Sequence, residues 1–162
     1  MERLWTPWRR AFIESATADA QTTCFLCAGP AAHDDPANLI LLRAEHTYVL
    51  MNLYPYNSGH LMIAPYAHTG DLVGLDTSIA QEMMTVTQRA VGVLQQVYRP
   101  EGFNIGMNLG KPAGAGVPDH LHIHVVPRWT GDTNFMPIVG GTKVLPETLD
   151  QTYARLAPVF RA

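Results

Sequence analysis

His120-Leu121-His122-Ile123-His124-Val125-Val126-Pro127 is the stretch that decides the fold and the chemistry of this chain. Three of the seven histidines fall within five residues here. Side chains alternate faces along a strand. A strand over His120 to Pro127 therefore presents His120, His122 and His124 on one side and turns Leu121, Ile123 and Val125 toward a core. Three imidazoles on an apolar strand are costly to bury without partners. They must face a cleft, a metal or a ligand. A half-exposed strand with a polar face is the plain alternative, but Thr, Ser or Lys would serve it as well. One ion cannot take all three directly, because positions i and i+4 lie ~13 Å apart at ~3.3 Å per residue.

The flanks extend this picture. Upstream, Lys111 to Pro118 is a Gly/Ala/Pro loop, and its Ala113-Gly114-Ala115-Gly116 run lets backbone N–H groups approach an anion. It lacks the Lys and the helix start of a P-loop. Phe103 to Leu109 alternates as a strand. Before it, Ile79, Met83, Val86, Ala90, Val93, Leu94 and Val97 recur at helical spacing, with Ser78 and Gln81 as a capping box and Pro100 as the stop. Leu39 to Leu42, Thr47 to Leu53 and His60 to Pro65 read as strands. Residues 28–38 carry two Pro and two adjacent Asp and read as a loop. A shorter helix starts near Pro146, with Leu149, Tyr153 and Leu156 on one face. Residues 1–22 read as an arm followed by a short helix, with Trp5 and Trp8 as apolar anchors. Strands, a long helix and two more strands predict one α+β domain over 1–162, an antiparallel sheet covered by helix.

Composition narrows the function classes. The 162 residues suffice for a buried core. Apolar residues make up 47% and charged residues 15%, which excludes a disordered chain. A net charge of −3 argues against capture of nucleic acid or an anionic membrane, while a local anion site remains open. No secretory signal or membrane span is legible, so a cytoplasmic location is expected. Cys24-Phe25-Leu26-Cys27 reads as metal or redox chemistry, or as two reduced thiols in a core-facing turn. His33 and His46 sit in polar turns and are expected at the surface. Asp119, Arg128 and Trp129 have no assigned role.

His-φ-His-φ-His-φ-φ, with φ apolar, resembles the signature of the histidine triad (HIT) nucleotide hydrolases and transferases. His120 to Trp129 followed by Gly131-Asp132-Thr133-Asn134-Phe135 resembles the diadenosine tetraphosphate phosphorylase branch. Leu53-Tyr54-Pro55-Tyr56-Asn57 with Gly59-His60, and Leu4-Trp5-Thr6-Pro7, do so too.

The resemblance implies several roles. His122 would be a nucleophile attacking the α-phosphorus of an adenosine polyphosphate, leaving an adenylyl-histidine. His124 and His60 would donate hydrogen bonds to phosphate oxygens. Asn52 would bind ribose, and Asn108 the phosphate side. The adenine pocket would draw on the strands around Leu50 and Leu53. The family often places Gln or Ser just before its first triad histidine. Here the stretch is Ala115-Gly116-Val117-Pro118-Asp119, so backbone N–H groups of Ala115 and Gly116 would substitute.

Zinc-bearing members imply a structural zinc on Cys24, Cys27, His68 and His120, which frees His122 for chemistry. Phosphorolysis of diadenosine tetraphosphate to ATP and ADP is the leading expectation, with inorganic phosphate as second substrate. Rivals are a hydrolase of dinucleoside polyphosphates or adenosine phosphoramidates releasing AMP, and a nucleotide-binding module without turnover. No organic cofactor is implied, a divalent cation accompanying the substrate is compatible, and the family implies a homodimer or larger homo-oligomer.

Overall fold

The computed structural model describes residues 24–133 and 145–162. The N-terminal arm with Trp5 and Trp8, the Leu4 to Pro7 motif, and Asn134-Phe135 lie outside the described residues. The elements are α1 (Phe25–Ala31), β1 (Ile40–Arg43), β2 (Thr47–Met51), β3 (Leu61–Pro65), α2 (Thr77–Tyr98), β4 (Gly102–Met107), a 3₁₀ turn (Lys111–Ala113), β5 (Ile123–Arg128) and α3 (Leu149–Arg161). The five strands form one antiparallel sheet in the order β1-β2-β3-β5-β4. Among the described residues no helix is long and apolar enough to cross a membrane.

Both faces of the sheet are covered, so β2 and β3 are buried at every position. Alternation sorts their side chains. Val49, Met51, Leu61, Ile63, Ile123 and Val125 pack with Met83, Ala90 and Leu94 of α2 and Leu156 and Phe160 of α3. Tyr48, Leu50, Met62 and Ala64 pack with Leu26 of α1 on the opposite face. Each fully buried Leu or Ile contributes roughly 1.5–3 kcal/mol. Met62 pairs with His124 in the β3–β5 register, which brings His124 to the α1 side.

Several boundaries differ from the sequence expectation. The histidine strand begins at Ile123, so His120 and His122 precede it, His120 at a bend. Helix α2 starts one residue before Ser78. Its cap is Asp76, whose carboxylate accepts the Ser78 N–H at 2.8 Å, in place of a Ser78/Gln81 box. It ends at Tyr98, where Arg99 adopts φ 48° ahead of Pro100. The capping box belongs to α3, between Thr148 and Gln151.

A further difference is α1, in a stretch expected partly as loop. Pro30 has no N–H, so the helix cannot satisfy the Leu26 carbonyl in the usual way. The buried Tyr48 hydroxyl donates to that carbonyl at 2.6 Å instead. A side chain 22 residues away thus makes the helix tolerable.

Candidate active site

His122 is 5% exposed, and its Nδ1 lies 2.9 Å from the His120 carbonyl oxygen. A carbonyl only accepts, so Nδ1 carries the proton and Nε2 keeps its lone pair. Burial lowers the pKa of His122, against the opposing effect of that hydrogen bond. The imidazole is therefore neutral at pH 7. The His124 ring stands 4.9 Å away, centroid to centroid, at 75°.

Both rings line a cavity of about 380 Å³. One wall is apolar: Ile40, Leu50 and Met62 from the sheet, Leu53 from the turn after β2, and Phe25 from α1. The other contains Gly114, Gly116 and Val117 of the loop, with Asn52 at the sheet end. An apolar slot closing onto imidazoles and a glycine loop suits a nucleobase at one end and phosphate at the other.

Behind the cavity, Tyr56 N–H donates to His60 Nδ1 at 3.1 Å, and the two rings stack at 4.8 Å. His60 Nδ1 is thus unprotonated, and Nε2–H donates to His124 Nδ1 at 3.0 Å. A neutral His124 then carries its proton on Nε2. The backbone amide of Tyr56 fixes two tautomers in series.

At the other end of the triad, four side chains converge. Cys24 Sγ lies 3.4 Å from His120 Nδ1, and Cys27 Sγ lies 3.3 Å from His68 Nδ1. The two Nδ1 atoms are 3.3 Å apart. All four donor atoms lie within 4.8 Å of one another, and the group could hold a metal ion. His120 Nε2–H donates to the Pro65 carbonyl at 2.8 Å, which leaves Nδ1 bare toward the thiols. A tetrahedral zinc with bonds of ~2.0–2.3 Å would space its ligands by roughly 3.3–3.8 Å. Burial, and Cys24 beside it, raise the pKa of the Cys27 thiol; a cation among the four would reverse that penalty.

A family model of the HIT domain matches residues 34–131. The chain belongs to the HIT family. It is 42% identical over 164 aligned residues to an AP-4-A phosphorylase of Mycobacterium tuberculosis, across 97% of this chain and 83% of that relative. It is 31% identical over 91 residues to a bis(5'-adenosyl)-triphosphatase of Saccharomyces cerevisiae, across 56% of this chain and 44% of that one. Among solved structures, a Zn-bound histidine triad family protein from Mycobacterium smegmatis shares the fold. Its TM-score is 0.70 at 24% identity, covering 86% of this chain and 94% of that one.

The HIT triad is therefore divided between two sites. His120 joins Cys24, Cys27 and His68, while His122 and His124 line the cavity. Asn52 also lines it, and its side-chain oxygen accepts from Tyr54 N–H at 2.8 Å. Leu50 and Leu53 line it as well. Of the two loop amides, Gly116 borders the cavity. Ala115 does not; its N–H turns back to the Gly110 carbonyl at 3.4 Å. Asn108 also lies off the cavity, its amide near the Gly114 carbonyl at 3.4 Å, so it shapes the loop rather than the cavity wall. His60 is 1% exposed and stands behind His124 rather than on the cavity wall.

His33 is exposed and His46 half-buried. Arg128 and Trp129 also lie away from the cavity. Arg128 is paired with Asp132, and Trp129 packs edge-on against Tyr98. Asp119 is exposed. Sequence reasoning missed Phe25 as a cavity residue, and its place inside the Cys pair was the available signal.

Proposed function

We propose that the protein is a nucleotidyltransferase of the phosphorylase type. It cleaves adenosine polyphosphates, converting diadenosine tetraphosphate and phosphate into ATP and ADP through a covalent adenylyl-His122. The observation that carries this is the His122 imidazole, buried, neutral and bare at Nε2 on the wall of a nucleotide-sized cavity. The 42% identity to the M. tuberculosis phosphorylase supports the choice of substrate.

In the first step His122 Nε2 attacks the α-phosphorus. The N–P bond forms, the P–O bond to the distal phosphates breaks, and ATP leaves. In the second step a phosphate oxygen attacks the same phosphorus. The N–P bond breaks, ADP leaves, and the imidazole returns neutral. His124 Nε2–H stabilises charge on the phosphate oxygens in both steps. Asn52 binds ribose, and the Gly116 amide serves the phosphate side. His60 acts by holding His124.

The proposed metal is zinc, held by Cys24, Cys27, His68 and His120. Four protein ligands make it structural, with no open position for substrate. Two unlinked thiols suit a reducing, cytoplasmic setting. The outer strand β4, with Ile105 49% exposed, is the edge on which a second copy would dimerise.

The test is product analysis with and without inorganic phosphate. ADP is expected with phosphate, and little turnover without it. AMP formed at the same rate without phosphate would replace the phosphorylase with a hydrolase, the activity named for the yeast relative. Nucleotide binding without turnover would mark a binding module.

A further inference from the structure

Asp132 sits outside the cavity, yet it is the most heavily engaged carboxylate near the site. Its Oδ2 accepts from Arg128 Nε at 2.6 Å, Asn57 Nδ2 at 2.7 Å and Trp129 N–H at 3.1 Å. Its Oδ1 accepts from Arg128 Nη2 at 2.8 Å and Thr133 Oγ1 at 3.0 Å. Asn57 is 6% exposed and also donates to the Pro127 carbonyl at 3.0 Å. These bonds tie the turn over residues 54–60 to the end of β5, 75 residues later in sequence.

That turn is the one that fixes the histidine tautomers. The Asn57 carbonyl accepts His60 N–H at 3.1 Å, and the preceding amide, Tyr56 N–H, donates to His60 Nδ1. His60 then reaches across to His124, three residues before Pro127 on β5. The chain Asp132–Asn57–His60–His124 thus closes a ring with β5 itself. Two of its bonds, Asn57 to Asp132 and His60 to His124, cross between the turn and the β5 segment, and the others lie within the turn. The Asp132–Asn57 bond works beside the Asn57 bond to the Pro127 carbonyl and the β3–β5 pairing of Met62 with His124, and it fixes the Asn57 side chain in the turn that carries His60.

We infer that Asp132 is a positioning residue for the reaction, acting through Asn57 and His60 to hold His124 in the tautomer that presents Nε2–H to the phosphate. This rests on the proposed role of His124, but its structural half can be tested without turnover. Rotamer restriction alone would give a rigid turn. Here the directed donors and acceptors also specify which nitrogen bears hydrogen.

The experiment is ¹⁵N NMR of the histidine rings in wild type, Asp132→Asn and Asn57→Ala, alongside kinetics with a dinucleoside polyphosphate. Wild-type His124 is expected as the Nε2–H tautomer. Both variants are expected to show a mixed tautomer at His124 with His122 unchanged. Their kcat should fall roughly three- to thirty-fold while KM stays within about two-fold, the mark of an interaction used in the transition state. Wild-type His124 protonated on Nδ1 would overturn the inference, whether or not the variants fold. So would a folded variant that retains the Nε2–H tautomer. Inactive wild type with the expected tautomers would instead count against the proposed function and leave the ring intact.

Discussion

His122 Nδ1 lies 2.9 Å from the carbonyl oxygen of His120, whose own ring sits among Cys24, Cys27 and His68. One peptide carbonyl therefore joins the Cys/His cluster to the imidazole that lines the cavity. Whatever orders His120 also sets the orientation and tautomer of His122.

Cys24→Ser is expected to reduce bound zinc and lower stability. A loss of about 2–4 kcal/mol would lower Tm by roughly 4–16 °C at this size. Helix α1 supplies Phe25, Gly29 and Pro30 to the cavity, so nucleotide affinity should fall with it. Metal analysis of the purified variant is the check; undiminished zinc would remove Cys24 from the ligand set.

Phe25 is 45% exposed on the cavity wall beside Leu53. Phe25→Ala should weaken nucleotide binding about five- to ten-fold, for a stacking contact of ~1 kcal/mol. Because the contact persists through both chemical steps, KM should rise and kcat should hold. Calorimetry and initial rates measure the two, and an unchanged Kd would contradict the assignment.

Gly70 anchors the loop carrying His68. A Cβ there would lie 2.3 Å from the Pro118 carbonyl oxygen, inside any tolerable contact. The next strand-side bond, Leu121 N–H to the Thr69 carbonyl at 2.7 Å, shows how closely these backbones run. Gly70→Ala is expected to cost about 1–3 kcal/mol by overpacking. Thermal unfolding decides; an unchanged Tm would mean the loop yields freely.

The sequence exposed the sheet and the triad because their signals are local. Alternation in His120 to Val125 and the 3.6-residue stripe of Met83, Val86, Ala90 and Leu94 each follow from one element's geometry. The Cys24/Cys27 pair likewise pointed to metal or redox chemistry, though the other two residues of the cluster came from resemblance. What stayed hidden depends on distant side chains. Helix α1 looked like loop because Pro30 disfavours helix, and only Tyr48 repairs the damage. Asn108 and Ala115 have the right chemistry for phosphate, but the Gly110 and Gly114 carbonyls claim them. His60 looked like a phosphate donor until the fold put His124 in front of it.

Asp132 also has a signature in pH. The Arg128 guanidinium, against the opposing effect of partial burial, holds its carboxyl well below the usual carboxylate range. A folded-state pKa below the unfolded one contributes stability above about pH 4, and that contribution is lost as pH falls through the folded value. The Tm gap between wild type and Asp132→Asn should be constant from pH 5 to 7 and shrink at lower pH. A gap that widens in acid would contradict the sign.

The most direct test of the central claim is mass spectrometry of the protein mixed with diadenosine tetraphosphate in the absence of phosphate. An adenylyl adduct on His122 is predicted, discharged as ADP when phosphate is added and absent from His122→Ala. An adduct on another residue, or turnover retained by His122→Ala, would contradict it.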